Sequence, residues 1–269
     1  MLSIEVRIIS LISLSIFSMS SYAQIEKSFP SEVGMSSIYL NKATQRLQQH
    51  IDEGDIAGVT AAVSRDGKLI YFESLGLMDI ALDKPMRTDA LFRTYSMTRQ
   101  ITTIAALILY DQGKFEMDDS IQLYLPEFND QKVLLRSDSL DITETKPRIE
   151  DITIQHLITH TSGLGSRSSR IYRENNVSDK NSSLDNMVSN AAGIPLFHEP
   201  GTEFRYGIHA TILGKLIEVW SGKPFEEFLN EELFPKLRMN NTMFWAAGSD
   251  QERLTTVYRP MNGDLTPHQ

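Results

Sequence analysis

The chain has 269 residues, of which 41% are hydrophobic and 23% are charged, a composition typical of a globular protein. Its formal net charge of −9 argues against nucleic-acid binding, which favours a basic face, and against simple attraction to anionic lipid. The sequence has no cysteine, which excludes disulfides, a cysteine nucleophile and thiolate metal ligands within it.

The first 23 residues have the pattern of an export signal. Arg7 precedes the apolar stretch IISLISLSIF, and the small residues SSYA precede Gln24. We therefore expect cleavage after Ala23, a mature domain spanning residues 24–269, and a periplasmic or secreted location. The apolar stretch is short for a bilayer span, so we expect no stable membrane insertion once the signal is removed. An uncleaved anchor is the alternative.

A helix and then a β-hairpin are predicted at the start of the domain. Apolar residues recur at roughly helical spacing and Gly54 ends the pattern; they are Ile38, Leu40, Ala43, Leu47 and Ile51. Two β-rich runs within residues 58–76 flank Asp66-Gly67, a dipeptide that suits a tight hairpin turn. The fold is therefore expected to begin with one helix and one antiparallel strand pair.

The middle of the chain predicts helices separated by irregular segments. Residues 101–113 are apolar on every side, which is typical of a central helix, and Gly113 suits its C-cap. A short helix is expected to stop at Pro126, followed by an irregular polar insertion over 129–150. The next predicted helix breaks at Ser162-Gly163.

The last third predicts a loop, two helices and an open end. Residues 165–185 are rich in Ser, Asn and Arg without an apolar period, which indicates a long surface loop. Helices are predicted over 209–222 and, starting at Pro224, over 225–234. The final stretch, from Arg253, is expected to end without a closing element.

The stretch TYSMTRQITT, residues 94–103, places Ser96 at the start of the apolar helix. A serine there has its backbone N–H and the positive end of the helix dipole available to an oxyanion. Arg99 lies three residues on, so its side chain shares a helical face with Ser96. A serine N-cap is the commoner structural explanation of such a pattern, and the stretch alone leaves both interpretations open.

Three segments in fixed order resemble the serine β-lactamase and penicillin-binding-protein superfamily, in its class C-like branch of exported esterases and hydrolases. Residues 90–128 are similar to the nucleophile helix and its sequel, and ITIQHLITHTSGLG to the family's histidine-threonine-serine-glycine signature. Residues 197–234 are similar to the segment with the catalytic tyrosine. The resemblance implies a β-lactamase/transpeptidase-like α/β (α+β) fold, an antiparallel sheet flanked by helices plus a mainly helical lobe.

The resemblance also implies roles for three side chains. Ser96 would be the nucleophile that forms an acyl-enzyme, with its own N–H as half of the oxyanion hole. Tyr206 would be the general base and proton shuttle, and Arg99, in the family's lysine position, would supply a positive field. Substrates would be small esters or amides of the ester, β-lactam or D-alanyl-peptide type. No organic cofactor and no metal ion are implied, and the oligomeric state is left open.

Three departures from the family pattern bear on activity. Arg99 keeps its proton and cannot act as a base, so that role would pass to Tyr206. Ile208 stands where the family often has an asparagine, which argues against β-lactam or peptide specificity more than against catalysis. The family's third motif has no match before Gln269, so we expect the C-terminal sheet strands to be missing and the hairpin to lack partners.

These departures leave two kinds of function open. One is a serine hydrolase, impaired to some degree; the other is a catalytically inactive binding protein on the same scaffold. The chain itself would be a fragment of a longer product or a degenerate gene product. His160 is expected to hold a loop by hydrogen bonds. His156 and His160 are spaced as a metal-ligand pair, but no third ligand can be singled out, so no metal site is expected there.

Overall fold

A computed structural model describes residues 25–137, 141–177, 179 and 181–268. The predicted export signal and its cleavage site lie outside these residues. Within them, no helix combines the length and the apolar character needed to cross a bilayer.

The described residues form short helices and small sheets. The strands are β1 (Glu26–Lys27), β2 (Gly58–Arg65), β3 (Lys68–Asp79), β4 (Lys84–Pro85), β5 (Val133–Leu134), β6 (Thr145–Lys146), β7 (Tyr258–Met261) and β8 (Asp264–Pro267). The α-helices are α1 (Ser37–Asp52), α2 (Thr98–Asp111), α3 (Ile154–Ile158), α4 (Arg170–Glu174), α5 (Leu184–Ala192), α6 (His209–Ser221), α7 (Phe225–Phe228) and α8 (Phe234–Leu237). Two compact units result, one of residues 25–91 with 253–268 and one of residues 92–252.

The predicted hairpin is the centre of the first unit. β2 and β3 pair antiparallel from Gly58 opposite Gly76 to Arg65 opposite Lys68. Asp66 and Gly67 form the turn with φ of 52° and 73°, the left-handed conformation that a two-residue hairpin requires. β4 also pairs antiparallel with β3, but β1 pairs with it in parallel. The predicted antiparallel strand pair is therefore confirmed, and β1 adds one parallel neighbour to β3.

Helix α1 confirms the predicted helix and most of its predicted apolar face, since Leu40 is buried and Leu47 and Ile51 are half-buried. Leu40 is buried and packs with Val33 and Ile70 in a small core. Thr44 lies one turn further on, where its Oγ1 is 2.8 Å from the hydroxyl of Tyr71 on β3. Ile38, in contrast, is 68% exposed, and Ala43 is exposed as well, so these two predicted positions lie off the packing face.

The final residues form a separate pair of strands, an element that the sequence pattern did not predict. β7 and β8 pair as a hairpin around the left-handed residues Asn262 and Gly263. Just before it, the Thr256 N–H donates to the Met78 carbonyl at the end of β3. β3 thus has neighbours on both sides, and the expectation that the hairpin lacks partners is wrong for β3, while β2 forms the edge of the sheet.

The second unit is built around α6, which packs against α2, α3, α5 and α7. Its core includes a stack of Phe115 on Trp220 with ring centroids 4.0 Å apart. Helix α2 was predicted to be central on every side, but one stripe of it is exposed, with Ile104 at 44% and Leu107 at 38%. Its other faces are buried, because Ala105, Ala106 and Leu109 have almost no exposure.

Two segments of this unit differ from the sequence expectation. Pro126 begins the second of two short 3-10 helices rather than ending an α-helix. The 129–150 insertion contains the β5–β6 pair, in which Val133 and Leu134 are buried. The short apolar pair within a polar stretch therefore anchors the insertion to the core.

Residues 165–185 are not simply a surface loop. They contain α4, whose Tyr172 is completely buried and accepts a 2.8 Å hydrogen bond from the Gly165 N–H. The helices predicted over 209–222 and from Pro224 are confirmed as α6 and as the run α7, a π turn at Leu229–Leu233, and α8.

Candidate active site

Ser96 lies in a single 3-10 turn, Tyr95–Met97, that continues directly into α2. Its side chain is exposed, and its backbone N–H belongs to the first turn, where helix geometry offers no intrahelical acceptor. The preceding residue, Tyr95, has φ of 42°, a left-handed conformation that is costly for a non-glycine residue. Such strain concentrates at functional positions, where the surrounding structure maintains it at a cost of about 1–3 kcal/mol.

The three side chains predicted to form the site lie together. The Arg99 Nε–H donates a 2.7 Å hydrogen bond to the Tyr206 hydroxyl oxygen. The Arg99 Cζ lies 4.2 Å from the centroid of the same ring, a cation–π contact. The Ser96 side chain lies close enough to the Tyr206 hydroxyl to be the largest influence lowering the pKa of that phenol. Tyr206 therefore joins the candidate nucleophile to the cation three residues further along its helix.

The electrostatic environment favours the ionised form of Tyr206. Its pKa is lowered, first by the hydrogen bond from Ser96 and then by the positive charge and hydrogen bond of Arg99, while partial burial acts in the opposite direction. A phenol with a lowered pKa, hydrogen-bonded to a serine hydroxyl, is placed to accept that hydroxyl's proton.

The turn that carries Tyr206 is fixed by a close backbone approach. A Cβ on Gly207 would lie 2.4 Å from the Gly165 carbonyl oxygen, so only glycine fits. The next residue, Ile208, donates its N–H to the same carbonyl and is buried in the core with 1% exposure. Ile208 therefore contributes packing, and its side chain is not presented to a substrate.

A buried polar network holds the residue before Tyr206. The His209 Nε2–H donates to the Arg205 carbonyl at 2.6 Å, since a carbonyl can only accept. Burial lowers the pKa of His209 to about 4, so the neutral ring accepts at Nδ1 from the Ser162 hydroxyl, 3.0 Å away. The Leu164 N–H in turn donates to Ser162 Oγ. This network ties the serine-glycine segment to the start of α6.

His160 contacts Tyr206 directly, which was missed in the sequence. Its ring lies 5.5 Å from the Tyr206 ring at an interplanar angle of 15°. Its Nδ1 is buried without a hydrogen-bond partner, and the loop is instead held through its backbone, whose carbonyl accepts the Arg205 N–H. His160 therefore holds the loop by hydrogen bonds, as expected, but through its backbone and not through Nδ1.

Potential metal ligands do not gather around Ser96 in the described residues. His156 is occupied by a capping box, in which it exchanges hydrogen bonds with Thr153 at the start of α3. Three candidate ligands do approach one another at the end of α1, namely His50, Glu53 and Asp55, but His50 and Asp55 are already engaged in a 2.7 Å hydrogen bond with each other.

Residues 43–268 match the β-lactamase family. The chain belongs to this family. Esterase EstB of Burkholderia gladioli is 30% identical over 225 residues, which cover 79% of this chain and 53% of EstB. The solved structure of EstCE1, described as a hydrolase with promiscuous acyltransferase activity, superposes with a TM-score of 0.76 at 30% identity, covering 86% of this chain and 59% of EstCE1.

More distant β-lactamase family members support the fold alone. Simvastatin synthase LovD of Aspergillus terreus has a TM-score of 0.72 at 23% identity, covering 87% of this chain and 62% of LovD. The mixed α/β, β-lactamase/transpeptidase-like fold expected from the sequence is thereby confirmed. The chain spans about half the length of the curated relatives it matches.

Proposed function

We propose that this chain carries the nucleophile, base and activating cation of a serine hydrolase that forms an acyl-enzyme on small esters. The observation that carries the proposal is the grouping of Ser96, Tyr206 and Arg99, in which Arg99 donates a hydrogen bond to Tyr206 and both Ser96 and Arg99 lower the Tyr206 pKa. The chain is similar to EstB, named an esterase, and to EstCE1, named a hydrolase with promiscuous acyltransferase activity. This similarity favours esters as substrates over β-lactams or D-alanyl peptides. Small amides share the same chemistry and are the wider class.

Acylation begins with proton transfer from Ser96 to Tyr206. The Ser96 oxygen forms a bond to the ester carbonyl carbon while its proton passes to the Tyr206 phenolate. The resulting oxyanion is stabilised by the Ser96 N–H and the positive end of α2. The tetrahedral intermediate then collapses, the ester C–O bond breaks, and the Tyr206 hydroxyl returns the proton to the departing alcohol.

Deacylation uses the same groups in reverse. Tyr206 removes a proton from an incoming water, whose oxygen attacks the acyl carbon, and the proton returns to Ser96 as the acid leaves. An alcohol in place of water would yield a new ester, so acyl transfer needs no additional group. Arg99 keeps its protons in both steps, and its function is to hold positive charge against the Tyr206 oxygen.

The decisive experiment is covalent labelling of the nucleophile. A fluorophosphonate probe should attach to Ser96, as located by peptide mass spectrometry, and the protein should hydrolyse a short-chain nitrophenyl ester. Ser96→Ala should remove both signals, whereas Ser64→Ala, at an exposed serine on β2, should retain them.

Absent labelling, or ester turnover unchanged in Ser96→Ala, would contradict the hydrolase proposal and favour the inactive binding protein. Turnover of a chromogenic β-lactam in preference to the ester would move the substrate class away from esters.

We also propose that the protein is exported to the periplasm or beyond. The signal pattern of residues 1–23 supports this location. Protein recovered from the periplasm or medium should begin at Gln24, and intact protein that starts at Met1 in the cytoplasm would contradict export.

A further inference from the structure

His160 is the most unusual residue around Tyr206. Its backbone has φ of 60°, a left-handed conformation that non-glycine residues seldom adopt. Its ring lies against three aromatic neighbours: it stacks on Tyr206, contacts Phe204 with centroids 5.7 Å apart, and meets His209 edge to face at 4.6 Å. A strained backbone that delivers a ring to this place needs an explanation beyond loop closure.

The contribution of the ring is packing rather than hydrogen bonding. Its Nδ1 is buried without a partner, while the backbone of the same residue makes the loop's hydrogen bonds to Leu157 and Arg205. Burial, and next the positive charge of Arg99, lower the pKa of His160, so the ring is uncharged at neutral pH. An uncharged aromatic ring in parallel contact restricts how the neighbouring ring can turn.

We propose that His160 is a positioning residue, whose imidazole holds the Tyr206 ring so that the phenol oxygen stays between Ser96 and the Arg99 Nε–H. This inference rests on the proposed function, because the position matters for proton transfer between Ser96 and Tyr206. His160 acts through Tyr206 and has no chemical role of its own. A displacement of about 1 Å in such a constellation is sufficient to cost roughly a hundredfold in rate.

The charged and titratable groups around His160 require its imidazole to be neutral. Arg99 acts on it from α2, Tyr206 from the turn before α6, and His209 from the first residue of α6. Protonation of His160 would put a second cation close to Arg99 and next to the phenol. The packing therefore depends on the neutral imidazole.

His160→Asn removes the ring and keeps a residue that tolerates positive φ. We expect kcat for the nitrophenyl ester to fall on the order of tenfold to a hundredfold with little change in KM. The acid limb of the kcat/KM profile should move to higher pH, because a loosely held Tyr206 loses the Ser96 hydrogen bond that most lowers its pKa. His160→Phe restores a ring and should recover most of the rate, although its backbone strain lowers Tm.

A titration that needs no turnover separates this inference from the proposed function. The ultraviolet difference between the protein and its Tyr206→Phe variant, followed against pH, reports the ionisation of Tyr206. His160→Asn should raise that apparent pKa. The matched control is His156→Ala, which removes the α3 capping box and lowers stability. This variant should leave the apparent pKa of Tyr206 unchanged.

An unshifted Tyr206 ionisation in folded His160→Asn would overturn the positioning role whether or not the protein hydrolyses esters. If His160→Asn does not fold, His160→Phe decides: Tyr206 ionisation and a rate close to those of the parent support the proposal, and a shift as large as that expected on losing the ring contradicts it. If the parent shows no Ser96-dependent turnover while His160→Asn still shifts the Tyr206 ionisation, only the proposed function is contradicted.

Discussion

The Arg99 Nε–H donates to the Tyr206 hydroxyl oxygen at 2.7 Å, across 107 positions of sequence. The contact uses the inner nitrogen of the guanidinium and leaves Nη1 buried without a hydrogen-bond partner. The arginine thus provides the charge and the hydrogen bond that a base needs from its neighbour, at the cost of one unsatisfied donor. Four predictions follow from this arrangement and its support.

Tyr206→Phe should lower kcat for ester hydrolysis by at least about a hundredfold, since it removes the phenol oxygen placed to take the Ser96 proton. The ring and its stacking on His160 are retained, so the circular dichroism spectrum should be unchanged. Stopped-flow measurement of the acylation phase checks the loss directly. A parent-like acylation rate would exclude Tyr206 as the base.

Arg99→Lys should raise activity, because lysine restores a side chain that can lose a proton and removes the buried, unsatisfied Nη1. Arg99→Met keeps an unbranched chain without charge and should lower activity, with the acid limb of the kcat/KM profile moved to higher pH. The pH profiles of both variants test this account. An equal or lower rate in folded Arg99→Lys would count against it.

Gly207→Ala should destabilise the protein by about 1–3 kcal/mol and reduce turnover, since its methyl group would meet the Gly165 carbonyl and displace Tyr206. Gly193→Ala is the matched control, because the nearest atom to its added Cβ is 3.5 Å away and its φ is −73°. Urea midpoints of the two variants give the comparison. Equal urea midpoints would contradict the prediction, because they would show that the backbone shifts to accommodate a methyl group at position 207.

Stability should fall as the pH drops below about 6.5, largely because of His209. Its pKa decreases from 6.5 to about 4 on folding through burial, so the unfolded chain binds the proton first and the lost stability reaches about 3 kcal/mol near pH 4. His209→Gln should flatten this dependence in urea titrations. A residual slope is expected, because burial lowers the pKa of His156 and His160 too. An unchanged pH dependence of the unfolding free energy in His209→Gln would contradict the assignment of that dependence to His209.

Local patterns were sufficient where a contiguous segment determines its own structure. The Asp66-Gly67 turn, helix α6 and the placement of Ser96 and Arg99 on one helical face all follow from turn chemistry or helical period. Segments whose burial depends on distant partners were misjudged. Tyr172 is predicted to lie in a surface loop, but its ring is buried beside Phe197, 25 residues further along the chain.

The sequence by itself therefore determined the family, the candidate nucleophile and the cation beside it, since these lie within single motifs. Only the tertiary structure decided that Tyr206 reaches them, that Ile208 turns into the core, and that His160 stacks on the phenol. The physical reason is that these contacts depend on the packing of α6 against α2 and on the close approach of Gly207 to Gly165. Neither the spacing of residues nor their type carries that information.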